Sequence, residues 1–182
     1  MIRAFVGLEL PGILVDRLEA VQAGLPAGRA VAPESMHLTL AFLGEQPAPV
    51  LEDLHLALLE VRGPAVSLSV TGIGVFGGAR PRNLHAVVAP DPELSALRKR
   101  VATAAREAGI AVPAERFVPH VTLARFPQRM PVEDYEALHR FLAKRMALTA
   151  GPFEIDAFTL FRSHLRADGA AYESLADYPL SG

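Results

Sequence analysis

The sequence contains no cysteine and no tryptophan, and of its 182 residues only Lys99 and Lys144 are lysine. The missing cysteine excludes disulfides, thiolate nucleophiles and cysteine-ligated metal centres, and it fits a cytoplasmic setting. The missing tryptophan removes the indole as a stacking surface. No apolar run approaches the roughly 20 residues of a membrane-spanning helix. Nor do residues 1–11 look like an export signal: Glu9 and Pro11 break the apolar stretch, and a small-residue cleavage site is missing. One-sided charge is absent too. A formal net charge of −2 creates no field that would collect long nucleic acid, so an anionic substrate must be caught by local groups. With lysine scarce, arginine is the basic residue. It suits bidentate phosphate contacts, although a composition rich in Ala, Arg, Gly and Pro is read, for the chain as a whole, as genomic base composition.

What is present is a globular composition, 51% hydrophobic and 21% charged. This length fits one domain, or two lobes of about 90 residues each sharing a core. Ala4 to Leu10 reads as a buried strand ended by Pro11. Ile13, Leu14, Leu18, Val21 and Leu25 then recur at helical spacing up to Pro26 and Gly28. A short strand at 29–32 leads to a longer one from Met36 to Leu43, stopped by Gly44. Leu51, Leu54, Leu58 and Val61 mark a second helix, and Val66 to Val70 alternates as a strand. A glycine-rich bend separates it from its antiparallel partner, Leu84 to Ala89. Asp91 caps and Pro92 opens a third helix, closed by Gly109. Pro113 to Pro119 connects to a strand ending near Phe126, and a fourth helix spans Val132 to Met146. Two final strands, Phe153 to Phe161 and Ala171 to Tyr178, flank a turn containing Asp168-Gly169.

Within this pattern one phrase occurs twice, His37-Leu38-Thr39-Leu40-Ala41 and His120-Val121-Thr122-Leu123-Ala124. On a strand, residues i and i+2 share a face, so each copy offers an imidazole and a hydroxyl together while its aliphatic neighbours point into a core. The histidines stand 83 residues apart (120 − 37 = 83), near half the chain. The spacing predicts an α+β fold of two pseudo-symmetric lobes over residues 1–182. Each lobe would have an antiparallel sheet with helices on its outer face, and the active-site cleft would lie between them. Two facing imidazoles form an acid/base pair: one accepts a proton while the other, charged, donates one. That division suits in-line attack at phosphorus, with Thr39 and Thr122 donating to non-bridging oxygens and nearby arginines stabilising the growing charge.

Other uses of these residues fit less well. A metal site built on strands favours His-x-His or a close carboxylate, and neither copy has Asp or Glu within two residues. A metal-independent reaction is therefore expected, with no cofactor. Residues Gly72 to Gly77 match G-x-G-x-x-G, but that fingerprint must open a helix. Here Gly78-Ala79-Arg80-Pro81-Arg82 follows, and the glycines read as a turn between strands. Arg80 and Arg82 read as solvated loop residues near the cleft. Strict alternation puts Arg125 on the face opposite His120, so it reaches a phosphate only if the strand twists, bulges or ends there. His55, His139 and His164 read as surface residues. His85 lies mid-strand, placed either to stack on a base or to pack in the core.

With these residues assembled, the chain resembles the 2H phosphoesterase superfamily, and within it the bacterial and archaeal RNA 2′,3′-cyclic phosphodiesterases, also described as 2′-5′ RNA ligases. The resemblance covers nearly the whole chain. It runs from Phe5-Val6-Gly7-Leu8-Glu9-Leu10-Pro11 and Pro33 to Gly44, through Phe76 and Arg80-Pro81-Arg82, to Arg116 to Arg125, Leu160 to Leu165 and Tyr172 to Leu175. It implies a bilobal fold and hydrolysis of a terminal 2′,3′-cyclic phosphate to a 2′-phosphomonoester. His37 would be the general acid for the departing 3′-oxygen and His120 the base for water. Thr39, Thr122 and Arg125 would hold phosphate oxygens. A 5′-hydroxyl replacing water would form a 2′-5′ bond, a reversible ligation. The implied partners are RNA ends or nucleoside 2′,3′-cyclic phosphates, met by a cytoplasmic monomer without metal or membrane. Relatives often carry tryptophan where this chain has His85, which leaves Phe5, Phe42, Phe76, His85 and Tyr172 as candidate substrate contacts. Two rival readings share the fold: a non-catalytic nucleotide- or RNA-binding module, and a phosphodiesterase for 2′-5′ oligoadenylate or another small cyclic phosphate.

Overall fold

The two repeated phrases lie side by side at the middle of one curled antiparallel sheet. The computed structural model describes residues 1–113, 116–166 and 169–180. In chain order its elements are β1 (Ile2–Glu9), α1 (Gly12–Gln22), β2 (Arg29–Ala30), β3 (His37–Gln46), α2 (Ala48–Leu59), β4 (Val66–Phe76), β5 (Asn83–Val88), α3 (Pro92–Glu107), β6 (His120–Arg125), α4 (Val132–Ala143), β7 (Ala150–Ile155), β8 (Ala157–Arg166) and β9 (Gly169–Pro179). The sheet order is β7-β4-β5-β6-β3-β1-β8-β9, with β2 pairing on β6. Counted outward from the middle, β3, β1, β8 and β9 form one lobe and β6, β5, β4 and β7 the other. The lobes meet where Leu38 of β3 pairs with Val121 of β6.

The lobes are not the two halves of the chain. Phe153 to Phe161, expected as one strand, is two strands broken at Asp156. The chain leaves the β4 edge at β7 and crosses to pair β8 with β1 on the other side. Residues that alternate well along both pieces hide this crossing, because a polar Asp in the sequence resembles an outward-facing strand position.

Helix packing ties the lobes together. α1 follows β1 yet packs on β6 and β7, while α3 follows β5 yet packs on β3 as well as β4. Leu14, Leu18 and Val21 of α1 are buried, as are Leu94, Leu97 and Val101 of α3, matching the helical spacing of the sequence. Each such side chain contributes about 1.5–3 kcal/mol by leaving water. The Asp91 carboxylate accepts the Leu94 N–H at 2.7 Å and caps α3. The helices cover the sheet face into which Leu38 and Val121 point, and neither residue has exposed surface. The histidine face is left open.

Two local expectations change, and a third falls partly outside the described residues. β3 runs through Gly44 to Gln46, because Gly44 takes φ +70° at a register shift against β1 instead of ending the strand. Gly72 and Gly74 belong to β4, and the turn begins only at Gly77. Gly74 is tight: a Cβ there would come within 3.0 Å of the His85 ring. The turn expected at Asp168-Gly169 falls partly on Ala167 and Asp168, which lie outside the described residues.

Candidate active site

His37 opens β3 and His120 opens β6, each followed by its threonine two residues on. Continuing the Leu38–Val121 register sets His37 across from Thr122 and Thr39 across from His120. The four side chains, with Arg125, line one cleft of about 420 Å³. Nδ1 of His37 lies 2.9 Å from the Ser35 carbonyl, and Nδ1 of His120 lies 2.7 Å from the Val118 carbonyl. A carbonyl only accepts, so Nδ1 carries the hydrogen in both rings, and each neutral imidazole keeps Nε2 as its acceptor. The Thr39 hydroxyl, 3.1 Å from Nε2 of His37, donates to it in that state.

Each imidazole rests in an aromatic cradle. His37 lies 4.5 Å from the Phe5 ring and edge-on to Tyr172 at 4.9 Å, and Phe5 stacks on Phe161. His120 is edge-on to Phe76 at 4.9 Å, and Phe76 stacks on His85 at 3.9 Å. Gly7 makes the first cradle possible, since a Cβ there would meet the Leu38 carbonyl at 2.8 Å. Burial pushes His37 down to about 4. The positive charges of Arg125 and His120 add to that, against the opposing hydrogen bond to Ser35. His85 is likewise pushed down to about 4 by burial and by His120.

Arg125 does face the cleft, and the reason is a bulge. On β6 the pairing with β5 passes from Thr122 (opposite His85) to Ala124 (opposite Leu84), skipping Leu123. On β3 the pairing with β1 passes from Thr39 (opposite Gly7) to Ala41 (opposite Val6), skipping Leu40. In both copies the Leu-Ala pair is therefore buried at consecutive positions. The alternation is reversed, and the residue five beyond each histidine is brought to the cleft. One wall thus presents Arg125 and the other presents Phe42, 66% exposed. Gln22 of α1 supports the β6 bulge: its Nε2 donates to the Leu123 carbonyl at 2.7 Å and to the Val31 carbonyl at 2.8 Å.

Of the expected substrate contacts, Phe42, Phe76 and Tyr172 keep accessible surface beside the histidines. Phe5 and His85 do not, at 3% and 5% exposed. Both are packed against other rings and support the cradles, Phe5 among His37, Phe161 and Tyr172, and His85 between Phe76 and His120. His55 pairs with the Tyr178 hydroxyl at 2.9 Å, and His164 with Glu173 at 2.8 Å, away from the cleft. The cleft also holds Arg3, Arg29 and Ser163, which sequence reasoning missed. Arg3 precedes the strand as it was delimited from the sequence, and Arg29 sits on a two-residue strand too short to show a period. Its position opposite Arg125 is a matter of β2–β6 register. Among the described residues no three His, Asp or Glu side chains gather as metal ligands.

Residues 11–167 match the family model of the 2′-5′ RNA ligase superfamily. An RNA 2′,3′-cyclic phosphodiesterase of Geobacillus stearothermophilus is 30% identical over 88% of the chain, which spans half of that relative's length. One from Aquifex aeolicus is 29% identical over 100% of the chain and 99% of its own. The crystal structure of Escherichia coli LigT complexed with 3′-AMP superposes with a TM-score of 0.79 at 25% identity, covering 100% of this chain and 99% of that one.

Proposed function

The chain belongs to the 2′-5′ RNA ligase superfamily, and from that premise we propose that it hydrolyses terminal 2′,3′-cyclic phosphates of RNA to 2′-phosphomonoesters. One observation carries the reading. Both Nδ1 atoms are held by backbone carbonyls two residues upstream, leaving both Nε2 atoms to one cleft that also holds two threonines and Arg125. Nε2 of His120 takes a proton from water as its oxygen attacks phosphorus in line. Nε2–H of His37 gives a proton to the ribose 3′-oxygen as the P–O3′ bond breaks. The Thr39 and Thr122 hydroxyls and the Arg125 guanidinium hold the non-bridging oxygens. With an RNA 5′-hydroxyl in place of water the same displacement forms a 2′-5′ bond: His120 takes the hydroxyl proton, His37 protonates the departing 3′-oxygen, and the histidines exchange roles only when that bond is cleaved again.

His37 must be charged to act as acid, yet burial holds it near 4 in the free protein. The phosphodiester supplies the missing condition. Its negative charge offsets Arg125 and favours the imidazolium. A charged Nε2–H donates to Thr39 Oγ1 or to substrate, which frees the Thr39 hydrogen for a phosphate oxygen. The two histidines account for both proton transfers, so the reaction as drawn needs no metal. A nucleoside 2′,3′-cyclic phosphate incubated in EDTA with the wild type, His37→Ala and His120→Ala tests this. Turnover by the wild type is expected, with each variant slower by about 10²–10⁴-fold. Binding without turnover by the wild type would favour a binding module, and a divalent-ion requirement would overturn the mechanism.

A further inference from the structure

Beside the cleft lies a larger groove, about 1280 Å³, lined by Arg80, Arg82, Arg129, Phe126 and Tyr135 among others, none of them acidic. It exceeds the roughly 300–1,000 Å³ of small-molecule pockets and suits an extended chain. Its walls are the β4–β5 turn and the segment between β6 and α4. Backbone hydrogen bonds fix them: Arg82 N–H to the Phe76 carbonyl and Phe126 N–H to the Arg82 carbonyl, both 2.8 Å. The Tyr135 hydroxyl donates to the Ala79 carbonyl at 3.3 Å and ties the turn to α4. All three arginines are exposed, and among the described residues none of them pairs with a carboxylate.

The groove begins where the catalytic cleft ends. Arg125 of the cleft is followed by Phe126 of the groove, and Asn83, paired with Arg125, is preceded by Arg82. A ligand whose end sits between His37 and His120 therefore continues into a basic channel. The protein as a whole carries a net charge of −2 and has no long-range attraction for a polyanion, so three unpaired guanidinium groups in one groove mark a local anion track. We propose that this groove binds the RNA strand leading to the cyclic phosphate, with Arg80, Arg82 and Arg129 on phosphates upstream of the reacting end. This rests on the cyclic-phosphodiesterase reading of the cleft and extends it: the substrate is an oligonucleotide terminus, and a mononucleotide is a truncated version of it.

The test compares kcat/KM for a nucleoside 2′,3′-cyclic phosphate and for a short single-stranded oligoribonucleotide with the same end, over a range of salt. Wild type is set against the triple variant Arg80→Ala/Arg82→Ala/Arg129→Ala. Wild type should prefer the oligonucleotide by roughly tenfold, the combined effect of three exposed ion pairs. The triple variant should lose that preference and keep its rate on the mononucleotide, which also shows that it has folded. The logarithmic salt slope for the oligonucleotide should become shallower by about 2, at about 0.7 per phosphate contact on single strands. Equal kcat/KM for both substrates in wild type, or an undiminished preference in the triple variant, would overturn the proposal. If wild type turned over neither substrate, the cyclic-phosphodiesterase reading would fail on its own. Fluorescence anisotropy with the labelled oligonucleotide would still decide the groove: weaker binding by the triple variant supports it, and equal binding overturns it.

Discussion

Burial makes His37 a neutral imidazole in the free protein, and its charge then depends on what occupies the cleft. The profile of kcat/KM reports free enzyme, whereas kcat reports the complex. His37 must carry its proton to act as acid, so its titration governs the loss of activity as pH rises: near pH 4 in kcat/KM, and moved up towards neutrality in kcat once the phosphodiester is bound. Separate pH profiles of the two parameters check this, and coincident alkaline limbs would contradict it. His37→Ala and His120→Ala should each cost about 10²–10⁴ in kcat, the usual contribution of one positioned acid or base. The two histidines and two threonines are legible from sequence parity alone, since nothing but alternation is needed to put them on one face. The supporting roles of Phe5 and His85 are not legible, because burial beneath another ring depends on neighbours from β4, β8 and β9 that no local pattern names.

At the level of the strand, the Leu-Ala that closes each repeated phrase marks a bulge. Reading strict alternation through it assigns Arg125 to the wrong face, whereas two consecutive buried residues reverse the parity. Arg125→Ala should lower kcat/KM and, by removing a positive neighbour, raise the alkaline limb set by His37. Gln22 acts on the same bulge through the Leu123 carbonyl. Gln22→Leu should cost about 1–3 kcal/mol of stability for the carbonyl contacts it abandons and lower activity less than Arg125→Ala does. If it works through Arg125, the double variant should be no slower than Arg125→Ala alone, and an additive loss would contradict that coupling. A polar residue closing an apolar helix is visible in the sequence. Its partners, 9 and 101 residues away, are not.

Across the whole molecule, the crossing at Asp156 and the helices shared between lobes bind both halves of the cleft into one packed structure. Helix and strand types could be read from periodicity. The assignment of β8 and β9 to the first lobe could not, because strand pairing across 150 residues leaves no local mark. Protonation of buried imidazole should weaken this structure in acid. His37 titrates near 4 when folded against 6.5 as an ordinary histidine, so between those values the unfolded chain binds more protons. The stability is present above about pH 6.5 and is lost as pH falls towards 4. For His37 alone the loss is about 3 kcal/mol, with His85 adding in the same direction. Urea unfolding at several pH values reads this directly, and a flat profile over that window would contradict it. The central claim, that His37 and His120 together break the P–O3′ bond of a cyclic phosphate, is tested most directly by the product. Phosphorus NMR of an RNA 2′,3′-cyclic phosphate treated with the enzyme in EDTA should show a 2′-phosphomonoester only. A 3′-phosphomonoester, or no conversion without added metal, would contradict the account.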